Sequence, residues 1–482
     1  METKTKVDGE ICLGWAMEDI TPEGPVSLWG QYYERISEYV QSPLTVTALA
    51  IESINNNVTE QAIMVSIDLV YMEGNLQESL RTVLNKQLPD FDVQNLILNV
   101  THTHSSFNPG ADSKHWSMLV DKLSKVAVTA WRKRQPGGIS WDLEYEVIGH
   151  NRRVEFADGT TEMYGNCERS DFIGLEGPED HSVKLVFCWN LNKELTGIIM
   201  NVACPAQVTE AKYYVSADYW GELRKQLEKK YPGVYILPQI GASGDISPRD
   251  LPREYKLNRP DMWDVPGVVE IGKKLINVID RAYPRAKEKI ETKIVFKHVT
   301  EKIEIPARLY CQEEYQKANA SIKRIIKGTN TPELVWDNFL KEIKENEKIK
   351  DHGPWDNKLS DFGIYKKQEA LVKQYEAQDK HRVYPVELHV IRIGDIAICT
   401  NPFELFADYG FRIEGRSKAK LTFIVQLSAG DYAGYLPTQK AIEGDNYRGY
   451  SALVNKVGSE GGQALVDKTV NIIESIWQNK LF

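Results

Sequence analysis

No two cysteines in this 482-residue chain fall in a CxxC pair. The six present, Cys12, Cys167, Cys188, Cys204, Cys311 and Cys399, are scattered, which gives neither a disulfide framework nor a zinc ribbon. There is no run of about 18 apolar residues, so no segment is expected to span a bilayer. Positive charge is not in excess. The net charge of −9 argues against a nucleic acid or an anionic membrane as partner. No Gly/Ser or Pro linker, internal repeat or low-complexity tract interrupts the chain, so a single domain over 1–482 is expected, with a charged helical insertion at about 308–380. The N-terminal Met-Glu-Thr-Lys-Thr-Lys has no apolar signal core behind it. As written, the chain is expected in the cytoplasm, or secreted or periplasmic if the N-terminus has been trimmed.

What is present is an ordinary globular composition, 42% hydrophobic and 26% charged, able to bury a large core without a metal or disulfide staple. Residues 44–51 and 61–70 read as strands, the second carrying one acid, Asp68. Residues 75–87 read as a helix, and 96–100 as another buried strand. This β-α-β order predicts a mixed α/β fold of packed sheets flanked by helices. Further on, 116–134 has helical spacing and 183–204 alternates like a hairpin. Ser216 reads as the cap of a helix over 217–230, and Gly394-Asp395 as a two-residue hairpin turn. Within 308–380, Trp336, Phe339, Leu340 and Ile343 form one predicted apolar stripe.

The chemistry gathers at strand ends. His102 and His104 follow the strand at 96–100, and on an extended backbone positions i and i+2 point to one face. Neutral imidazole is the commonest protein ligand for zinc, although a solvated histidine pair has the same spelling. Arg152, Cys204, Asp245 with Ser247, and Glu404 also sit beside Gly or Pro at strand ends. In layered α/β folds, functional groups collect there.

Taken in order, the segments Gly14-Trp-Ala-Met-Glu-Asp-Ile-Thr-Pro22, Thr101-His-Thr-His-Ser105, Ser216-Ala-Asp-Tyr-Trp-Gly221, Gly244-Asp-Ile-Ser-Pro248, Pro402-Phe-Glu404 and Gly434-Tyr435 resemble the catalytic domain of the neutral, non-lysosomal ceramidases. The likeness is poorest over 308–380, and a counterpart of the C-terminal β-domain of those enzymes is not expected in this sequence. The resemblance implies a zinc-dependent hydrolase that cleaves an N-acyl amide bond in a small-molecule or lipid substrate. It implies zinc ligands at His102, Glu404 and Tyr435, with Cys204 standing where the family has its second histidine. Cysteine thiolate is itself a good zinc ligand. It further implies that His104 faces the substrate, that Arg152 and Tyr447 steady an oxyanion, and that Ser247 matches the family's essential serine. That serine would orient substrate or act as nucleophile. Two alternatives remain at this point. One is a hydrolase of a polar ester, amide or sugar derivative. The other is a non-catalytic binding protein on the same fold.

Overall fold

The structure, a computed structural model, describes residues 9–31, 33–55, 58–111, 113–254, 262–329, 331–345, 360–444 and 454–478. The elements that position the site are, in chain order, β1 (Ile11–Asp19), β2 (Thr45–Asn55), β3 (Val58–Ile67), α1 (Leu76–Gln87), β4 (Leu96–Val100), α2 (Ser113–Arg132), β5 (Gln135–Tyr145), β6 (Ser182–Asn190) and β7 (Leu195–Val202). They continue with α3 (Asp218–Lys230), β8 (Tyr235–Ile240), α4 (Asp264–Glu288), β9 (Phe296–Pro306), α5 (Gln312–Thr329), α6 (Pro332–Glu345) and α7 (Asp361–Ala377). The last are β10 (Val383–Ile393), β11 (Ile396–Thr400), α8 (Ala407–Arg416), β12 (Leu421–Val425) and α9 (Ser459–Trp477).

The larger sheet has eight strands in the order β8-β7-β6-β5-β1-β2-β3-β4. The smaller has four, β9-β10-β11-β12. Both are antiparallel in their interiors. The pairs β7–β8, β3–β4 and β11–β12 are parallel. The alternation along each strand explains the layers. Val46, Ala48 and Ala50 of β2 face α1 and α2 through Leu80, Leu84, Leu119 and Leu123. Leu49 and Ile51, one position out of phase, face Ile391, Ile393 and Phe423 of the smaller sheet. Helices α3 and α4 cover β6 and β7 in the same way, and α8 and α9 cover the outer face of the smaller sheet. The result is the mixed α/β architecture that the β-α-β order predicts, with two sheets packed face to face between helices.

The larger sheet curls until its edges meet. Asn99 of β4 donates from its side-chain amide to the Pro238 carbonyl of β8 at 3.0 Å, and Ser66 of β3 donates to the same oxygen at 2.7 Å. The chain leaving β12 seals the seam. Gln426 donates its backbone N–H to Ile240, and Ala429 donates to Leu98. This closure brings together strand ends that an open sheet would hold far apart.

Two local expectations are corrected. The helix at 217–230 starts at Asp218 with Ala217 as its cap. Ser216 stands one residue earlier, its hydroxyl accepting from the Asp218 N–H at 2.9 Å. Of the stripe predicted on α6, only Phe339 is buried. Trp336 and Leu340 are 42% and 44% exposed, because α7 meets α6 along Val335 and Phe339. The Gly394 turn is as expected, with a φ of +58° that favours glycine. Among the described residues, no helix is long and apolar enough to cross a membrane.

Candidate active site

Five strand ends feed one cavity of about 750 Å³. His102 and His104 follow β4, Gln207 and Glu210 follow β7, and Arg249 follows β8. Glu404 follows β11, and Tyr432 and Tyr435 follow β12. The histidines do not reach it by strand alternation. β4 ends at Val100, and His102 has a left-handed φ of +60°. That strained turn is held from below. Thr101 donates its hydroxyl to Asp68 at 3.1 Å, and Asp68 is clamped by Arg224 at 2.7 Å, so this buried acid is paired and structural. Gly30, at φ +102°, lies against the His104 ring. A Cβ there would fall 2.6 Å from Nδ1, so only glycine admits the imidazole.

Glu404 and Tyr435 are cross-strand neighbours in a short parallel pair, Glu404–Leu405 with Tyr435–Leu436, so both side chains enter together. The Glu404 carboxylate accepts from the Tyr432 hydroxyl at 2.7 Å. Its other oxygen is 3.5 Å from His102 Nε2 and 3.8 Å from the Arg152 guanidinium. Burial pushes this carboxyl up, but His102, Arg152 and Tyr432 outweigh it and hold it below the ordinary range. Burial and the adjacent Glu404 carboxylate push the Tyr435 hydroxyl far up, so it stays protonated unless a cation joins it. Arg152 is fully buried. It donates to Tyr164 at 3.1 Å, to Gln207 Oε1 at 3.2 Å, to the Gly244 carbonyl at 2.9 Å and to the Tyr435 hydroxyl at 3.3 Å. Arg153 turns away and pairs with Glu176 at 2.6 Å.

These contacts set how the two imidazoles are turned. His102 Nδ1 is 2.6 Å from the Val70 carbonyl, which can only accept, so Nδ1 donates there and Nε2 is the nitrogen turned toward Glu404. Arg152 fixes Gln207 Oε1 as an acceptor, so the Gln207 amide nitrogen donates to His104 Nε2 at 2.8 Å. The two Nε2 atoms are hydrogen bonded at 3.3 Å. A tetrahedral zinc with bonds of about 2.0–2.1 Å spaces its ligands about 3.3–3.4 Å apart, close to the His102–Glu404 separation. His102 Nε2, a Glu404 oxygen and the Tyr435 hydroxyl are of the kind that zinc takes, so the donor set fits a zinc ion. Among the described residues, no three His, Cys, Asp or Glu side chains group to hold a metal. The Tyr435 hydroxyl, beside Glu404, is a further oxygen donor at the same place.

Other expected site residues lie elsewhere. Cys204 does not line the cavity. It is 0% exposed in the core beneath α3 and α4, its sulfur 3.6 Å from the Pro205 carbonyl, and burial pushes its thiol well up. Thiolate character, which a zinc ligand needs, is disfavoured there. Ser247 is also 0% exposed and off the lining. It pairs with His150 in a two-residue bridge, and its hydroxyl accepts from the Arg249 N–H at 3.2 Å. Tyr447 lies outside the described residues. Gln207, Glu210, Tyr164 and Tyr432 were not anticipated. The only signal was polar residues in the loop after β7 and a second tyrosine ahead of Gly434-Tyr435. Cys204→Ala is therefore expected to leave zinc stoichiometry unchanged and to cost about 1 kcal/mol in denaturant unfolding. Ser247→Ala is expected to keep turnover within a few-fold of wild type, as checked by initial rates.

No family model matches this chain, and a comparison with curated proteins finds no match. Among solved structures, the neutral ceramidase of Pseudomonas aeruginosa superposes with a TM-score of 0.67 at 17% identity, covering 97% of this chain and 75% of that one. A ceramidase complexed with C2 gives a TM-score of 0.67 at 16% identity over the same shares. The chain has the neutral-ceramidase fold. Within that fold, the segments quoted from the sequence lie at the gathered strand ends, except the first, which is β1 and the turn after it, and the third, which enters α3 at Asp218. The described residues of 308–380 include α5, α6 and α7, and α7 supplies Lys366, Lys367 and Ala370 to the cavity wall.

Proposed function

We propose that the protein is a zinc-dependent hydrolase that cleaves an N-acyl amide bond in the cavity at the strand ends. The observation that carries this reading is the convergence of His102, Glu404, Tyr435 and Arg152 in one buried cluster, on the neutral-ceramidase fold. His102, Glu404 and Tyr435 would hold the zinc, three protein donors being the usual number for a catalytic site. Zinc bound there would supply Lewis-acid polarisation and a more acidic water. Arg152 then faces the acyl oxygen as charge develops on it, already oriented by four acceptors and so needing no reorganisation. Water is the nucleophile, since Ser247 is off the lining. It adds to the acyl carbon and gives up a proton to the Glu210 carboxylate, which lines the cavity; the C–N bond breaks, and the nitrogen takes that proton to leave as an amine. His104, its Nε2 capped by Gln207 and its Nδ1 3.8 Å from that carboxylate, orients Glu210.

The test is hydrolysis of a panel of N-acyl compounds, lipid and polar, by protein of known metal content. About one zinc per chain, loss of turnover on chelation and recovery on adding zinc are expected. Turnover that survives in metal-free protein contradicts the zinc assignment. Metal-free protein that binds N-acyl compounds without cleaving them supports a binding protein instead. Gln207→Leu is expected to lower kcat by about 10- to 100-fold with little change in KM, because His104 loses its fixed orientation while the cavity walls remain.

A further inference from the structure

We infer that Tyr432 is a positioning residue for the Glu404 carboxylate, and that the packed rings of Trp29 and Tyr71 behind it help to set the zinc affinity of the site. The inference rests on the zinc assignment above. A carboxylate on a flexible glutamate stem can offer either oxygen at many angles. Fixing it before the metal arrives removes that cost from binding. In this cavity the two oxygens of Glu404 have different partners. One accepts from the Tyr432 hydroxyl at 2.7 Å. The other is left facing His102 Nε2 at 3.5 Å. The hydroxyl of Tyr432 therefore selects the oxygen that a metal beside His102 meets.

That hydroxyl is itself held. The Tyr432 ring stacks on Tyr71, with centroids 4.5 Å and planes 21° apart, and Tyr71 packs against Trp29 at 4.2 Å. The Tyr432 ring cannot swing away from Glu404 without giving up this contact. The backbone anchors both ends of the row. Tyr432 donates its N–H to the Met72 carbonyl at 2.8 Å, and Trp29 donates to the Ser106 carbonyl at 2.9 Å, just past the two histidines. Arg35, fully buried, donates to the carbonyls of Trp29 and His104 at 2.7 and 2.6 Å and ties those two loops together. In the middle of the row, Tyr71 follows Val70, whose carbonyl accepts from His102 Nδ1 at 2.6 Å. One segment, 70–72, thus orients a nitrogen donor through Val70 and an oxygen donor through Tyr71, Met72 and Tyr432.

The experiment measures zinc affinity by competition with a zinc-binding dye, beside the melting temperature of the metal-free protein, so neither readout depends on turnover. Tyr432→Phe removes the hydroxyl and keeps the ring. It is expected to weaken zinc binding about 10-fold or more with the metal-free melting temperature nearly unchanged. Tyr71→Leu removes the packing partner and keeps the hydroxyl. Alone it should weaken zinc binding by less, and added to Tyr432→Phe it should cost little more, because both act through one bond. Tyr231→Phe is the control. The Tyr231 hydroxyl donates to the Asp280 carboxylate at 2.9 Å, joining the end of α3 to α4 off the cavity lining, and its loss should leave zinc affinity unchanged. Equal affinities in wild type and Tyr432→Phe overturn the inference and leave the zinc assignment standing. A loss that Tyr231→Phe reproduces, or that tracks a fall in metal-free melting temperature, also overturns it, because the role is then merely structural. Fully additive losses in Tyr71→Leu and Tyr432→Phe overturn the part given to the packed rings. Wild-type protein that binds no zinc overturns the zinc assignment itself, and the inference falls with it.

Discussion

Arg152→Lys and Arg153→Met, changes at adjacent residues, are expected to fail in opposite ways. Arg152→Lys keeps a positive charge beside Glu404 but loses the planar fork that donates to Tyr164, Gln207, Gly244 and Tyr435. Turnover should fall by about 10²- to 10³-fold, the usual loss when a preorganised oxyanion donor is removed. Zinc content and melting temperature should change little. Arg153→Met removes the partner of Glu176 in a pair that is 0% and 3% exposed. The carboxylate left behind is buried and uncompensated, which costs about 3–5 kcal/mol. Per folded molecule, its turnover should stay near wild type. Denaturant unfolding with initial rates on the same preparations separates the two. If Arg153→Met kills turnover in folded protein while Arg152→Lys does not, the assignment has slipped by one residue.

Glu404→Gln is the second large effect. The substitution keeps shape but removes the anionic donor opposite His102 Nε2. Changes to groups that merely orient a ligand already cost about 10- to 100-fold in metal affinity, so removing the carboxylate itself should cost at least about 100-fold. Turnover at limiting zinc should fall by a comparable or larger factor. Stability in metal-free protein should hold, because Arg152 keeps its contacts to Gly244, Gln207 and Tyr164. A competition titration against a zinc-binding dye measures the affinity. Equal affinities in wild type and Glu404→Gln would remove Glu404 from the donor set.

Much of this was legible before the structure. Period-2 alternation at the start of 44–51, mostly apolar runs at 61–70 and 96–100, and the helix between them are local properties, and they fold as read except that the first run leaves the sheet at Ile67. His102, Glu404 and Arg152 were each marked by a strand end beside Gly, Pro or a turn, Tyr435 only by the family resemblance, and they meet. Their meeting was not legible. It depends on the curl that brings β4 against β8, whose one trace in sequence is Asn99 and Ser66, polar residues in apolar strands. The left-handed turn at His102 was equally hidden, because it is imposed by tertiary bonds to Asp68 and Val70. Cys204 shows the opposite limit. Its place in the motif marks it for the metal, yet its side chain is committed to the core under α3, while Gln207, three residues on, takes the contact with His104.

The central claim is that a cation belongs among His102, Glu404 and Tyr435. Anomalous diffraction at the zinc edge, on crystals of zinc-loaded protein, tests it most directly. The expected result is one strong peak about 2.0–2.3 Å from His102 Nε2, a Glu404 oxygen and the Tyr435 oxygen, absent in Glu404→Gln crystals. A zinc-loaded crystal with no peak there, or with its peak at Cys204, contradicts it.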